Sequence, residues 1–283
     1  MRPFMARILD GLCLTDGSNS KFLKDPKVTG RYTEGGLMFQ VKARAEVLKE
    51  VVNVVSTLVD EAKFTVNADG LTLRAVDPAH IAMVDLTLSK EAFEEFKADE
   101  TEIGIDIDKL AQFLKLARSD DIVDLKHDEE KRRLNIMVGD VTRRMSLIDT
   151  TGMSDPKVPS LNLPAKLTVK VDDLVQGIRA SESVSDHIAL IASPEGFEML
   201  CEGDMDQVDW KKAKKDIPFL ESPTSVRSLF PLEYFSNMLK AVSSGNEVTM
   251  QLGNDYPVKV EFSIAGGKGK VSYLLAPRIE SGD

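Results

Sequence analysis

Few side chains in this 283-residue chain have the types and spacing that chemistry demands. Asp106-Ile107-Asp108 offers two nearby carboxylates, a pair that can hold a divalent cation or exchange a proton. The same residues suit a strand end followed by a helix cap, with Asp108 at the start of a helix over Lys109–Arg118. Gly266-Gly267-Lys268-Gly269-Lys270 mixes the residues that cradle phosphate. It lacks the spacing and the terminal hydroxyl of a phosphate loop, and it joins two strand-like runs instead of opening a helix. His80, His127 and His187 are dispersed without ligand spacing, and no nucleophile motif is present. No metal or cofactor is expected, and the chain reads as a binding protein, not an enzyme.

The binding chemistry centres on Asn67 to Leu88. Asp69-Gly70 suits a tight hairpin turn, because glycine takes positive φ without a steric penalty. Leu71, Leu73 and Ala75 then alternate with Thr72, Arg74 and Val76, which reads as a half-buried strand. Asp77-Pro78-Ala79-His80 breaks the run before Ile81 to Leu88 resumes it. His80 therefore sits on a surface loop between apolar Val76 and Ile81, where it reads either as an ordinary structural or solvent-exposed histidine or as a pocket-rim group that hydrogen-bonds a partner. Tyr273-Leu274-Leu275-Ala276-Pro277 reads as a last strand, either wholly buried or with its end open to an apolar plug.

A second set of groups is cationic. Four segments have helical periodicity: Glu46–Leu58, Lys109–Arg118, Asp172–Glu182 and Pro231–Val242. Opposite their apolar faces lie Lys49, Asn53 and Ser56, then Gln112, Lys115 and Arg118, then Gln176 and Arg179, then Asn237 and Lys240. Glu50 and Glu233 stand near the edges. These stripes are neutral to basic in a chain whose 36 Lys and Arg and 46 Asp and Glu give a net charge of −10. That balance argues against indiscriminate nucleic-acid binding. A sparse stripe of this kind suits weak phosphate contact without base reading, and equally an ordinary solvated helix face.

The elements between these groups form the same plan twice. Gly70 and Gly196 mark matching turns, and Leu114-Lys115 and Leu239-Lys240 matching helices, about 125 residues apart. A three-strand meander follows the second helix of each copy, Ile122–Lys126, Arg133–Val138 and Thr142–Ile148 in the first. Residues 38–149 form one unit and 165–283 the other. Residues 150–164, with three prolines, form an extended connector. Residues 1–37 are rich in turn-formers, with a helical turn expected near Phe4–Leu14, and read as a disordered leader or an over-extended start. Two cysteines make no disulfide framework, and no apolar run approaches the ~20 residues of a membrane span, so a cytoplasmic protein is expected.

From Met38 onward the chain resembles the DNA sliding clamps of the proliferating cell nuclear antigen (PCNA) family, most of all the archaeal members. The resemblance is carried by MFQVKA, DGLTLRAVDPAHIAMVDLTL, the Leu147–Asp149 motif that opens the connector, DYPVKVEFSIA and YLLAPRIE. It implies an α+β DNA-clamp fold and a homotrimeric ring threaded by duplex DNA. Helices would line the hole, presenting Lys49, Lys115, Arg118, Arg179 and Lys240. It also implies loading by a clamp loader, and docking of DNA polymerase, ligase and flap nuclease through short motifs. Their pocket would take Val76, His80, Ile81, Pro257, Tyr273, Leu274, Leu275, Ala276 and Pro277, with Met153 and Val158 from the connector. Arg143 and Arg144 would lie at the subunit contact, facing the edge around Glu198–Asp206 and the acids Asp172, Asp173 and Glu182. The competing readings are a β-rich enzyme, a peptide-binding scaffold that encircles nothing, and one subunit of a heterotrimer.

Overall fold

The computed structural model describes residues 39–153 and 155–279. The expectations for residues 1–37 lie outside the described residues. Strand β1 (Phe39–Arg44) buries its alternate residues Phe39, Val41 and Ala43 and runs straight into α1 (Ala45–Ser56). Next come β2 (Glu61–Asn67), β3 (Gly70–Val76), β4 (Ala82–Ser89), β5 (Glu95–Ala98) and β6 (Thr101–Asp106). Helix α2 (Ile107–Leu114) and the meander β7 (Ile122–Asp128), β8 (Arg133–Val138) and β9 (Val141–Ser146) complete the first unit.

The second unit repeats that order. It begins with β10 (Ala165–Lys170), α3 (Val171–Ser181), β11 (His187–Ser193), β12 (Gly196–Glu202) and β13 (Gln207–Ala213). It continues through β14 (Phe219–Glu221), β15 (Val226–Pro231), α4 (Leu232–Lys240), β16 (Glu247–Leu252), β17 (Val258–Ile264) and β18 (Gly269–Leu275).

Three sheets result, in the orders β5-β1-β7-β8-β9, β14-β10-β16-β17-β18-β4-β3-β2-β6 and β13-β12-β11-β15. The middle one joins the units: β18 pairs antiparallel with β4 from Gly269↔Leu88 to Leu275↔Ala82. At the β2–β3 turn glycine is obligatory, since Gly70 has φ +144° and a Cβ there would stand 2.1 Å from the Leu88 carbonyl oxygen.

The four α-helices of the described residues press their apolar faces onto one continuous core. Val51, Val54 and Val55 of α1, Phe113 and Leu114 of α2, Leu174 and Ile178 of α3, and Phe235 and Met238 of α4 belong to it. Helix α2 starts earlier than its periodicity suggests. Its cap is Asp106, not Asp108: the Asp106 carboxylate accepts the Lys109 amide at 2.8 Å, so Ile107 and Asp108 already lie in the first turn. A small second apolar cluster lies apart from the main core, formed by Met83, Leu274 and Ala276.

Candidate functional site

Strand alternation decides which residues at the end of the chain face which cluster. Tyr273 and Leu275 point into the main core, under α1. The Tyr273 hydroxyl donates to the Val54 carbonyl at 2.8 Å, and burial pushes its pKa up. Leu274, between them, points the other way and packs with Met83 and Ala276. Half-buried Val76, Ile81 and Leu161 close around this second cluster. Tyr273 and Leu275 are therefore core residues and not pocket residues, because a strand cannot present consecutive side chains to one side. Pro257 and Pro277 are buried, His80 is exposed, and Met153 and Val158 are half-buried and exposed respectively.

Two contributors escape the sequence reading. Met83 follows from the same alternation, two residues after Ile81. Leu161 lies between Pro159 and Pro164 and is the connector side chain that reaches the cluster.

The connector is held against the first unit at two points. Ile148 donates its amide to Gly104 at 2.9 Å, an approach that requires glycine, since a Cβ on Gly104 would fall 2.4 Å from the Ile148 carbonyl oxygen. Farther on, the Lys63 ammonium bridges Asp155 at 2.9 Å and Glu102 at 3.2 Å, and its side chain is only 8% exposed.

The loop at the cluster's rim is wrapped around one carboxylate. Asp77, 3% exposed, accepts the amides of Ile81 at 2.7 Å and Ala82 at 2.6 Å on one oxygen. Its other oxygen accepts the Ala79 amide at 3.0 Å and the Tyr234 hydroxyl at 2.9 Å. This cage holds His80 at φ +56°, a left-handed conformation uncommon for a residue with a side chain.

The cationic stripe divides into free and committed groups. Lys115, Arg118, Arg179 and Lys240 are exposed and make no ion pair among the described residues. Lys49 is half-buried, and its ammonium donates to the Ala117 carbonyl at 2.6 Å, tying α1 to the end of α2. Glu50 is also committed, since its carboxylate accepts the Ala265 amide at 2.7 Å and so reaches from the first unit to the second. That contact explains the glycine-lysine loop. Ala265, Gly266 and Gly267 have φ of +52°, +62° and +88°, and the Ala265 amide is taken by a protein carboxylate, not by phosphate. Glu50→Ala should destabilise the fold by about 1–2 kcal/mol in a urea titration, because it orphans a half-buried amide. An unchanged midpoint would mean that water replaces the carboxylate there.

Strands β9 and β13 each end a sheet and have one unpaired side. Arg143 lies on β9 against α2, donating to the Lys109 carbonyl at 3.0 Å with its guanidinium 6.0 Å from the centre of the Phe113 ring, while Arg144 is exposed. The opposite edge is one strand beyond the expected Glu198–Asp206, since β12 is paired on both sides. Its acids are partly engaged within the chain. Asp173 pairs with Lys212, Glu198 with Lys211 at 3.0 Å, and Asp172 accepts the Gly245 amide at 2.9 Å.

The titratable groups singled out in the sequence are held by their own neighbours. The Asp106 carboxyl is held below its usual range by Lys109, through both side chain and backbone, as befits a cap. His187 is shifted down by burial and by Arg278, whose guanidinium lies 2.8 Å from the ring. Among the described residues no three potential metal ligands come together, and no helix is long and apolar enough to cross a membrane.

Two like units with helices on one face, a shared central sheet and an open strand edge at each end define an α+β DNA-clamp fold. Residues 38–153 match the model of the proliferating cell nuclear antigen N-terminal domain, and residues 157–278 that of its C-terminal domain. The chain belongs to the proliferating cell nuclear antigen family. It is 42% identical over 245 residues to the DNA polymerase sliding clamp of Methanococcoides burtonii, covering 86% of this chain and all of the relative. Identity to that of Methanocella arvoryzae is 43% over the same span. Among solved structures, that of the C-terminal region of FEN-1 bound to A. fulgidus PCNA superposes with a TM-score of 0.82 at 34% identity, over 87% of this chain and all of that one. PCNA from Thermococcus kodakaraensis superposes with 0.79 at 29% identity, over 85% of this chain and all of that one.

Proposed function

We propose that this chain is a DNA polymerase sliding clamp that closes with two further copies of itself into a ring around duplex DNA. Its role is tethering and not catalysis. It holds DNA polymerase, ligase and flap nuclease to the duplex and works beside the chromosome in the cytoplasm. A partner held on such a ring stays near its template by topology, which raises its effective concentration there without a tight bond to DNA. A clamp loader opens the ring, because a closed trimer cannot thread onto circular DNA. Short partner motifs dock where Leu274, Met83, Val76, Ile81 and Leu161 converge beside His80, in the manner of an apolar plug in a groove.

The observation that carries the ring is the internal repetition of the sheets. Within the chain, β18 of one unit pairs with β4 of the other. Strand β9 is the counterpart of β18, and β13 is the counterpart of β4, and both are free edges. Joining β9 of one copy to β13 of the next recreates the same sheet order, five strands beside four. Such a head-to-tail contact makes a ring when the rotation closes, and it pairs the two edges that have no partner within the chain at the ends of the two units. Light scattering at low and high salt tests this. The expected mass is about three times the 31.2 kDa of the chain. A single-chain mass at every salt and concentration would overturn self-closure and leave a heterotrimer subunit or a scaffold.

A further inference from the structure

The Asp77 cage contains one donor that does not come from its own loop. Three of the four groups on the carboxylate are amides of residues 79, 81 and 82, local to the turn. The fourth, the Tyr234 hydroxyl, comes from α4 in the other unit, 157 positions along the chain. Without it, the Asp77 oxygen that faces Ala79 keeps a single amide donor at 3.0 Å. That oxygen anchors the segment leading into His80, whose left-handed backbone needs outside support. A second bond ties the rim to the end of the chain, as the Ala276 amide donates to the Ile81 carbonyl at 2.8 Å. The rim of the apolar cluster is thus built from one unit and braced by the other.

We propose that Tyr234 is a positioning residue for partner docking, locking the Asp77–Ile81 loop in place from the second unit. The proposal rests on the clamp reading of that rim. Tyr234 touches no docked motif; it acts by fixing the conformation in which His80 and Ile81 meet one. Burial and the Asp77 carboxylate push the Tyr234 pKa up to about 12, so the hydroxyl keeps its proton and remains a donor throughout the physiological range. Partner affinity then depends on how the two units are set against each other, since any shift that parts α4 from the loop releases Asp77.

The test uses the full chain and the FEN-1 C-terminal peptide, with affinity read by calorimetry. Tyr234→Phe removes only the hydroxyl and is expected to weaken the peptide about tenfold. Amide exchange is expected to quicken at residues 79–82 while β3 and β4 stay protected. Ser236→Ala, also on α4, removes a hydroxyl that reaches Glu182 and not the loop, and should leave affinity unchanged. Equal affinity for wild type and Tyr234→Phe, or an equal loss in both variants, would overturn the positioning role. A wild-type chain that binds no such peptide would instead remove the docking reading on which the proposal stands.

Discussion

Tyr273→Ala is expected to destabilise the protein by about 3–5 kcal/mol, the range for emptying a buried aromatic site. Tyr273→Phe should lose about 0.5–1.5 kcal/mol, and its cause is specific. The Val54 carbonyl lies in the last turn of α1, where helix carbonyls lack intrahelical donors. It is satisfied by two hydroxyls, Thr57 at 2.7 Å and Tyr273 at 2.8 Å. Neither variant should alter the affinity of the folded protein for the FEN-1 C-terminal peptide by more than about twofold, because the ring lies on the helix side of the sheet. Leu274→Ala, one residue away, should weaken that peptide by about tenfold or more, since it removes the floor of the cluster, whatever it also takes from stability. Urea titrations and calorimetry on the three variants separate the faces. Weakened peptide binding by Tyr273→Phe at unchanged stability would put Tyr273 back in the pocket.

That pair of residues also marks where sequence reasoning reaches its limit. The duplication, the helix faces and most strands are legible because alternation and helical periodicity are strong in segments half-buried against one core. The loop at His80 is legible from a proline-containing break in an alternating run. Which of Tyr273, Leu274 and Leu275 faces the second apolar cluster is also within reach, because alternation forbids all three, but the family resemblance draws them in together.

Other features leave no signal. Strand β13 buries no residue fully and reads as a charged run, and β14 is three residues long, so neither shows a pattern above background. The sequence therefore places the free edge one strand early, and its acids read as available when Asp173 and Glu198 already hold lysines. Two side-chain contacts between the units, Asp77 with Tyr234 and Glu50 with Ala265, join positions 157 and 215 apart, and no local spacing reveals such a pair.

If the proposed ring grips DNA through its helices, removing the four exposed cations of the stripe together, Lys115→Ala, Arg118→Ala, Arg179→Ala and Lys240→Ala, should abolish salt-sensitive DNA contact and leave the proposed trimer intact. Contact of this kind gains its free energy from counterion release, and the logarithm of affinity falls with the logarithm of salt by about 0.9 per phosphate engaged. Four engaged phosphates give a slope of about −3.6, or roughly a hundredfold loss between about 50 and 200 mM salt. The quadruple variant should flatten that slope toward zero and bind at low salt as wild type does at high salt. Fluorescence anisotropy of a labelled duplex across a salt series provides the slope, and light scattering on the same samples shows whether assembly survives. Lys49→Ala is the informative contrast. Because the Lys49 ammonium is spent on the Ala117 carbonyl, its loss should lower stability while changing the slope by well under one unit. A full unit lost with Lys49, or a quadruple variant whose slope matches wild type, would mean that DNA meets a different face and that the exposed stripe is only solvated helix surface.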